Sequence, residues 1–109
     1  MIYKVRANFK TETAADYFNR LYDGTIQNQR PDGQEIVNAM KRAIVTADKT
    51  VEWSEKCYCS TPLAHERATV LDNYFDILST EEIDAYQTYD GQPFLDYLKQ
   101  LVAKDSKHQ

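Results

Sequence analysis

One run of the chain, Cys57-Tyr58-Cys59-Ser60-Thr61-Pro62-Leu63-Ala64-His65-Glu66-Arg67, gathers the side chains best suited to chemistry. Three chemistries are open to it. The first is metal binding: Cys57, Cys59 and His65 are zinc-type ligands, with Glu66 a distant fourth. No second Cys/His pair accompanies them, and the other histidine, His108, lies in the tail. Buried cysteine is also an ordinary core filler, so no metal and no cofactor is expected. The second is a reactive thiol. Cys59 just precedes a helix N-terminus, whose dipole and free N–H groups lower a thiol pKa, and His65 or Arg67 would stabilise a thiolate. A nucleophile also needs an oriented base and a pocket, and the sequence displays neither. The third is anion binding. Arg67 falls in the apolar half of an otherwise cleanly divided helix. Its guanidinium and the helix N–H groups would together hold a carboxylate or phosphate of a small anionic ligand. Arg67, His65 and Cys59 are therefore the ligand-binding candidates. The ordinary alternative is an arginine that lays its stem on the core and carries its head to water.

Those residues sit where a strand is expected to run into a helix. Residues 2–10 alternate, with Tyr3, Val5, Ala7 and Phe9 on one face, which predicts a half-buried strand. Thr11 or Thr13 then caps a helix through about Tyr22. Residues 25–38 read as a loop with one or two helical turns. A hairpin is expected next, with strands over roughly 39–46 and 51–59, although Ile36, Met40, Ala43 and Ile44 also suit a helix. Thr61 and Pro62 open a helix over 62–78, with Leu63, Ala64, Ala68, Val70, Leu71, Tyr74, Phe75, Ile77 and Leu78 filling half its wheel. A strand over about 83–89 and a helix opening at Pro93 complete the order β-α-β-β-α-β-α. With right-handed crossovers this predicts an α+β, ferredoxin-like βαββαβ sandwich with an extra C-terminal helix. Residues 1–104 form one domain and 105–109 a flexible tail.

Composition narrows the function classes. The 109 residues carry a formal net charge of −4, the wrong sign for a domain gripping nucleic acid or an anionic membrane through charge. Lys4, Arg6 and Tyr58 place basic and aromatic groups as RNA-recognition motifs do. However, Val51–Tyr58 lacks that motif's glycine and aromatic spacing, and its glutamates repel phosphate. The longest aliphatic run, Ala43-Ile44-Val45, is too short to span a bilayer. Cys57 and Cys59 stand one residue apart, with side chains that do not converge if they lie in a strand. That favours free thiols and a cytoplasmic setting. Asp72 and Asp76 share a helix face, as a hydrated charged pair does.

The expected protein is a non-catalytic binding or interaction module. The wide stripe over 62–78, an uncovered sheet face, and Tyr58, Tyr74, Tyr86 and Tyr89 near it point to a homodimer. The competing expectation is a small ligand-binding protein or enzyme of the dimeric α/β-barrel kind, with its pocket near the start of the 62–78 helix. A third is a thiol or metal sensor using Cys57 and Cys59.

Overall fold

A computed structural model describes residues 1–107. Its chain order is β1 (Ile2–Phe9), a 3-10 turn (Thr11–Thr13), α1 (Ala14–Tyr22), α2 (Gly33–Arg42), β2 (Ile44–Ala47) and β3 (Thr50–Lys56). A helical segment follows, built from Ala64–Glu66, a π-helical Arg67–Leu71 and Asp72–Tyr74, and called α3 throughout. Then come β4 (Phe75–Ile83), the two-residue β5 (Gln92–Pro93) and α4 (Phe94–Lys107). The expected tail begins inside α4, and residues 108 and 109 lie outside the described residues.

Among the described residues the fold is α+β, with four helices and a five-stranded antiparallel sheet in the order β4-β1-β3-β2-β5. That order differs from the four-strand sheet expected, because β5 lies beyond β2. Two further differences have local causes. Residues 39–42 are helical, not the start of a strand, because Ile36, Val37, Ala39 and Met40 bury at helical spacing. That leaves β2 only four residues. At the N-terminus of α2, a Cβ on Gly33 would collide with the Ile26 carbonyl oxygen, so the preceding turn packs onto a bare backbone.

The expected 62–78 helix ends at Tyr74, and the chain then turns directly into β4. Val70, Leu71 and Tyr74 bury as a helix does, whereas Phe75 and Ile77 face the core with the alternation of a strand. The half-wheel stripe thus spans two elements, the end of a helix and the start of a strand. A bulge opposite Arg6 and Ala7 then shifts the β1–β4 register. The strand expected over 83–89 does not form: β4 ends at Ile83, and residues 84–91 are irregular. The strand expected to reach residue 59 stops at Lys56, before both cysteines.

The helices share one sheet face. Tyr17 of α1 stacks on Tyr74 of α3 at 4.2 Å, and Phe94 of α4 meets Phe9 of β1 at 5.3 Å. Helix α2 packs on β3 and α4. The second face bears Lys4, Arg6 and Asn8 opposite Ser54, Glu52 and Thr50. Since β4 and β5 occupy opposite edges, residues 84–91 must cross the sheet. They do so over this second face: Gln87 N–H donates to Ser54 Oγ (3.0 Å), Tyr89 Oη lies 3.2 Å from it, and Lys4 Nζ sits over the Tyr89 ring. Gly91 ends the crossing at φ +146°, close enough to the Val45 carbonyl that only a residue without Cβ fits.

Candidate functional site

Just past β3 the chain leaves the sheet and returns into α3, and the two cysteines lie in this connection. Cys57 N–H donates to the Met1 carbonyl oxygen (2.8 Å), which continues the β1–β3 ladder by one bond. Its side chain keeps the inward direction of Trp53 and Glu55 and is buried. Leu63, at φ 57°, is the one non-glycine residue with positive φ among the described residues. This conformation costs about 1–2 kcal/mol and is offset here by complete burial of the Leu63 side chain. It also sends the first turn of α3 back toward the cysteines, and so Glu66, on the polar half of an ideal wheel, is 1% exposed.

The carboxylate of Glu66 is the hub. Cys57 Sγ–H donates to its Oε2 at 3.5 Å, and Cys59 Sγ–H to the same oxygen at 3.7 Å. Cys59 N–H in turn donates to Cys57 Sγ at 3.2 Å. Both cysteines are free thiols. Beside them His65 Nδ1 lies 2.7 Å from Oδ2 of Asp32, whose other oxygen is buried with no partner. Asp32 occupies the N-cap position of α2 but makes no cap bond with its side chain, so the carboxylate is spent on His65 instead. Glu35, one turn into α2, accepts from Lys56 N–H (2.7 Å), from Tyr86 Oη–H (2.9 Å) and from Arg42 Nη2–H (3.4 Å). All of these residues except Arg42 and Tyr86, together with Pro31 and Tyr58, line an open cavity of about 360 Å³.

Three carboxyl groups, those of Asp32, Glu35 and Glu66, line the cavity with Lys56 and His65, and Arg42 pairs with Glu35 from outside it. Burial pushes the Cys57 thiol up to about 12, against the backbone N–H groups of Cys59 and Leu63, which favour the thiolate. Burial likewise raises the Glu66 carboxyl above its ordinary range, and the Asp32 charge adds to the rise. Deeper in the core, behind the cavity, burial carries Glu55 up to about 8.

Of the candidates named from sequence, Cys59 and His65 line this cavity and Arg67 does not. Arg67 Nε donates to Asp72 Oδ1 at 3.0 Å, with the Arg67 side chain 43% exposed, in a separate surface depression shared with Lys10 and Asp76. Its place on the wheel has a geometric cause. The π-helical stretch begins at Arg67 and rotates each later residue less than 100°, so wheel positions after Glu66 are displaced. Asp72, expected to share a helix face with Asp76, is in α3, whereas Asp76 is in β4. Asp32 and Glu35 escaped the sequence reading. Asp32-Gly33 reads as a turn, and nothing local signals that its carboxylate crosses to a histidine 33 positions away.

No protein-family profile, curated protein or solved structure matches this chain.

Proposed function

We propose that this protein is a non-catalytic binding module whose ligand enters the cavity between the end of β3, the first turn of α3 and the start of α2. The observation that carries this is the convergence of Cys57, Cys59, His65, Glu66 and Asp32, from three segments, on one space of about 360 Å³. A recess of this size with a few convergent polar groups is the ordinary form of a small-ligand site. The bonding speaks against a cysteine nucleophile. Both thiols donate to a buried carboxyl and His65 is engaged by Asp32, so the base and the sulfur are held apart in separate pairs. The carboxylates favour a cationic ligand or ion over the anion that Arg67 suggested. No described helix is long and apolar enough to cross a membrane. The adjacent free thiols support a cytoplasmic site of action. Within the sheet, the order β4-β1-β3-β2 supports a ferredoxin-like relationship, with α2 and β5 as additions.

A thermal-shift screen of metabolites and metal ions tests the reading. At least one probe is expected to raise the melting temperature, His65→Ala to abolish that shift, and Arg67→Ala to preserve it. A screen without a hit, or a hit indifferent to His65→Ala, overturns it. The assembly proposed is a homodimer, supported by the unpaired outer edge of β4 and the part of the second sheet face left open by residues 84–91. Light scattering at micromolar concentration is expected to give twice the chain mass, and a monomer mass removes the dimer.

A further inference from the structure

The cavity's chemistry narrows its ligand further. Cys57, Cys59 and Glu66 each bring one ligand atom within 4.8 Å of the other two. Around a tetrahedral zinc ion, with Zn–S near 2.3 Å and Zn–O near 2.1 Å, a sulfur and an oxygen ligand stand about 3.6 Å apart. The two sulfurs lie 3.5 and 3.7 Å from Glu66 Oε2. Two edges of a coordination tetrahedron are thus already set. We propose that Cys57, Cys59 and Glu66 form a binding site for a thiophilic divalent cation of the zinc class, with the fourth coordination position open to the cavity. This rests on the cavity being the ligand site.

The surroundings fit an ion rather than an organic molecule at this end of the cavity. The N–H of Cys59 already orients Cys57 Sγ, as outer-shell donors orient thiolate ligands. The Asp32–His65 pair has the form of a carboxylate–histidine relay. With Nδ1 engaged, Nε2 makes no hydrogen bond among the described residues and is left for a water carried by the ion, His65 itself standing outside the ligand group. Two sulfurs and one carboxylate oxygen select zinc-like ions over magnesium and calcium, which prefer all-oxygen shells. The half-buried Cys59 and His65 leave an entry path. On binding, each S–H bond gives way to a sulfur–metal bond and both protons pass to the buffer, so no redox partner is needed.

The test uses the full reduced chain, stripped with a chelator and titrated with Co²⁺. A thiolate-to-cobalt charge-transfer band is expected to saturate at one ion per chain and to vanish on adding Zn²⁺, while Mg²⁺ leaves the spectrum unchanged. Cys59→Ser, at the more exposed ligand and checked for folding by circular dichroism, should halve the band and weaken Zn²⁺ binding by about 10-fold or more. Glu66→Gln should keep the band while weakening the ion by a similar factor. Absence of the band, or a band unchanged in Cys59→Ser, overturns the assignment. If the band is absent while a screened compound still binds through His65, the metal assignment falls and the binding module stands. If neither occurs, both fall.

Discussion

Phe75→Ala is expected to lower the unfolding free energy by about 3–5 kcal/mol, against about 0.5 kcal/mol or less for Leu78→Ala. Phe75 is 1% exposed, and its ring lies 5.4 Å from Phe9, 5.7 Å from Tyr17, 5.0 Å from Trp53 and 5.7 Å from Phe94. Those partners belong to β1, α1, β3 and α4, so one truncation opens a cavity where four elements meet. Leu78 lies three residues on, at the bulge, and is 47% exposed. In a helix running to residue 78 the two side chains would share a stripe and cost alike. In a strand they part company. Urea unfolding of the two variants therefore reads the helix-to-strand boundary at Tyr74 directly. A Leu78→Ala loss as large as that of Phe75→Ala would sink the boundary and the register built on it. Since domains of this size hold only about 5–15 kcal/mol, Phe75→Ala should bring the chain close to its unfolding threshold.

The same boundary explains which parts of the fold were legible in the sequence. β1 is plain because Tyr3, Val5, Ala7 and Phe9 keep a strict period of two against a covered face. α1 and α4 are plain because each holds one helical stripe without interruption. The segment around α3 is not, because three irregularities fall inside it: a left-handed Leu63, a π-helical stretch and an uncapped turn into β4. A helical wheel assumes about 100° per residue throughout, so it placed Arg67 inside and Glu66 outside, the reverse of what the backbone does. β4 was hidden for another reason. Glu81 and Glu82 break its apolar pattern because it is an edge strand, where charge blunts unwanted pairing.

The candidate site divides along sequence distance. Cys57, Cys59 and His65 were legible because they lie within a few residues of one another. The group that joins the two sulfurs, Glu66, was nameable only as a remote ligand. Its burial depends on the direction in which Leu63 launches α3, a tertiary property. Asp32 and Glu35 come from α2, and only the packing of α2 on β3 brings them to the cavity. Tyr86 was a surface tyrosine in the sequence; it proves to be a donor that fixes Glu35, with its ring 4.2 Å from the Arg42 guanidinium.

Stability is expected to fall as pH rises from about 4.5 to about 8, and Glu55→Gln is expected to flatten that fall. Glu55 lies on the covered face of β3, is fully buried, and satisfies one oxygen with Trp53 Nε1–H at 2.9 Å while the other has no partner. Burial holds its pKa at about 8 rather than the ordinary 4.5, and the charges of Glu66 on α3 and of Glu35 and Asp32 at the start of α2 push the same way. Tyr17 on α1 is a further titratable neighbour, itself raised well above its ordinary range by burial and by Glu55. Below 4.5 the carboxyl is protonated both folded and unfolded and exerts no penalty. Between the two values the unfolded chain has lost the proton that the folded chain keeps, so each pH unit costs about 1 kcal/mol or slightly more. Above about 8 both forms are ionised and the loss levels off. Glu66, also raised, adds a loss of the same sign. Cys57 adds one only as pH rises above its ordinary 9.0. The Asp23 carboxyl, lowered by Thr25, acts below the window and with the opposite sign. Glutamine keeps the shape and the acceptor for Trp53 without the ionisation. Urea unfolding of both proteins in chelator, at several pH values between about 5 and about 8, should leave Glu55→Gln the more stable by several kcal/mol at the upper end. A flat profile for the natural chain, or an equal slope in the variant, would mean that Glu55 does not hold its proton in the folded core.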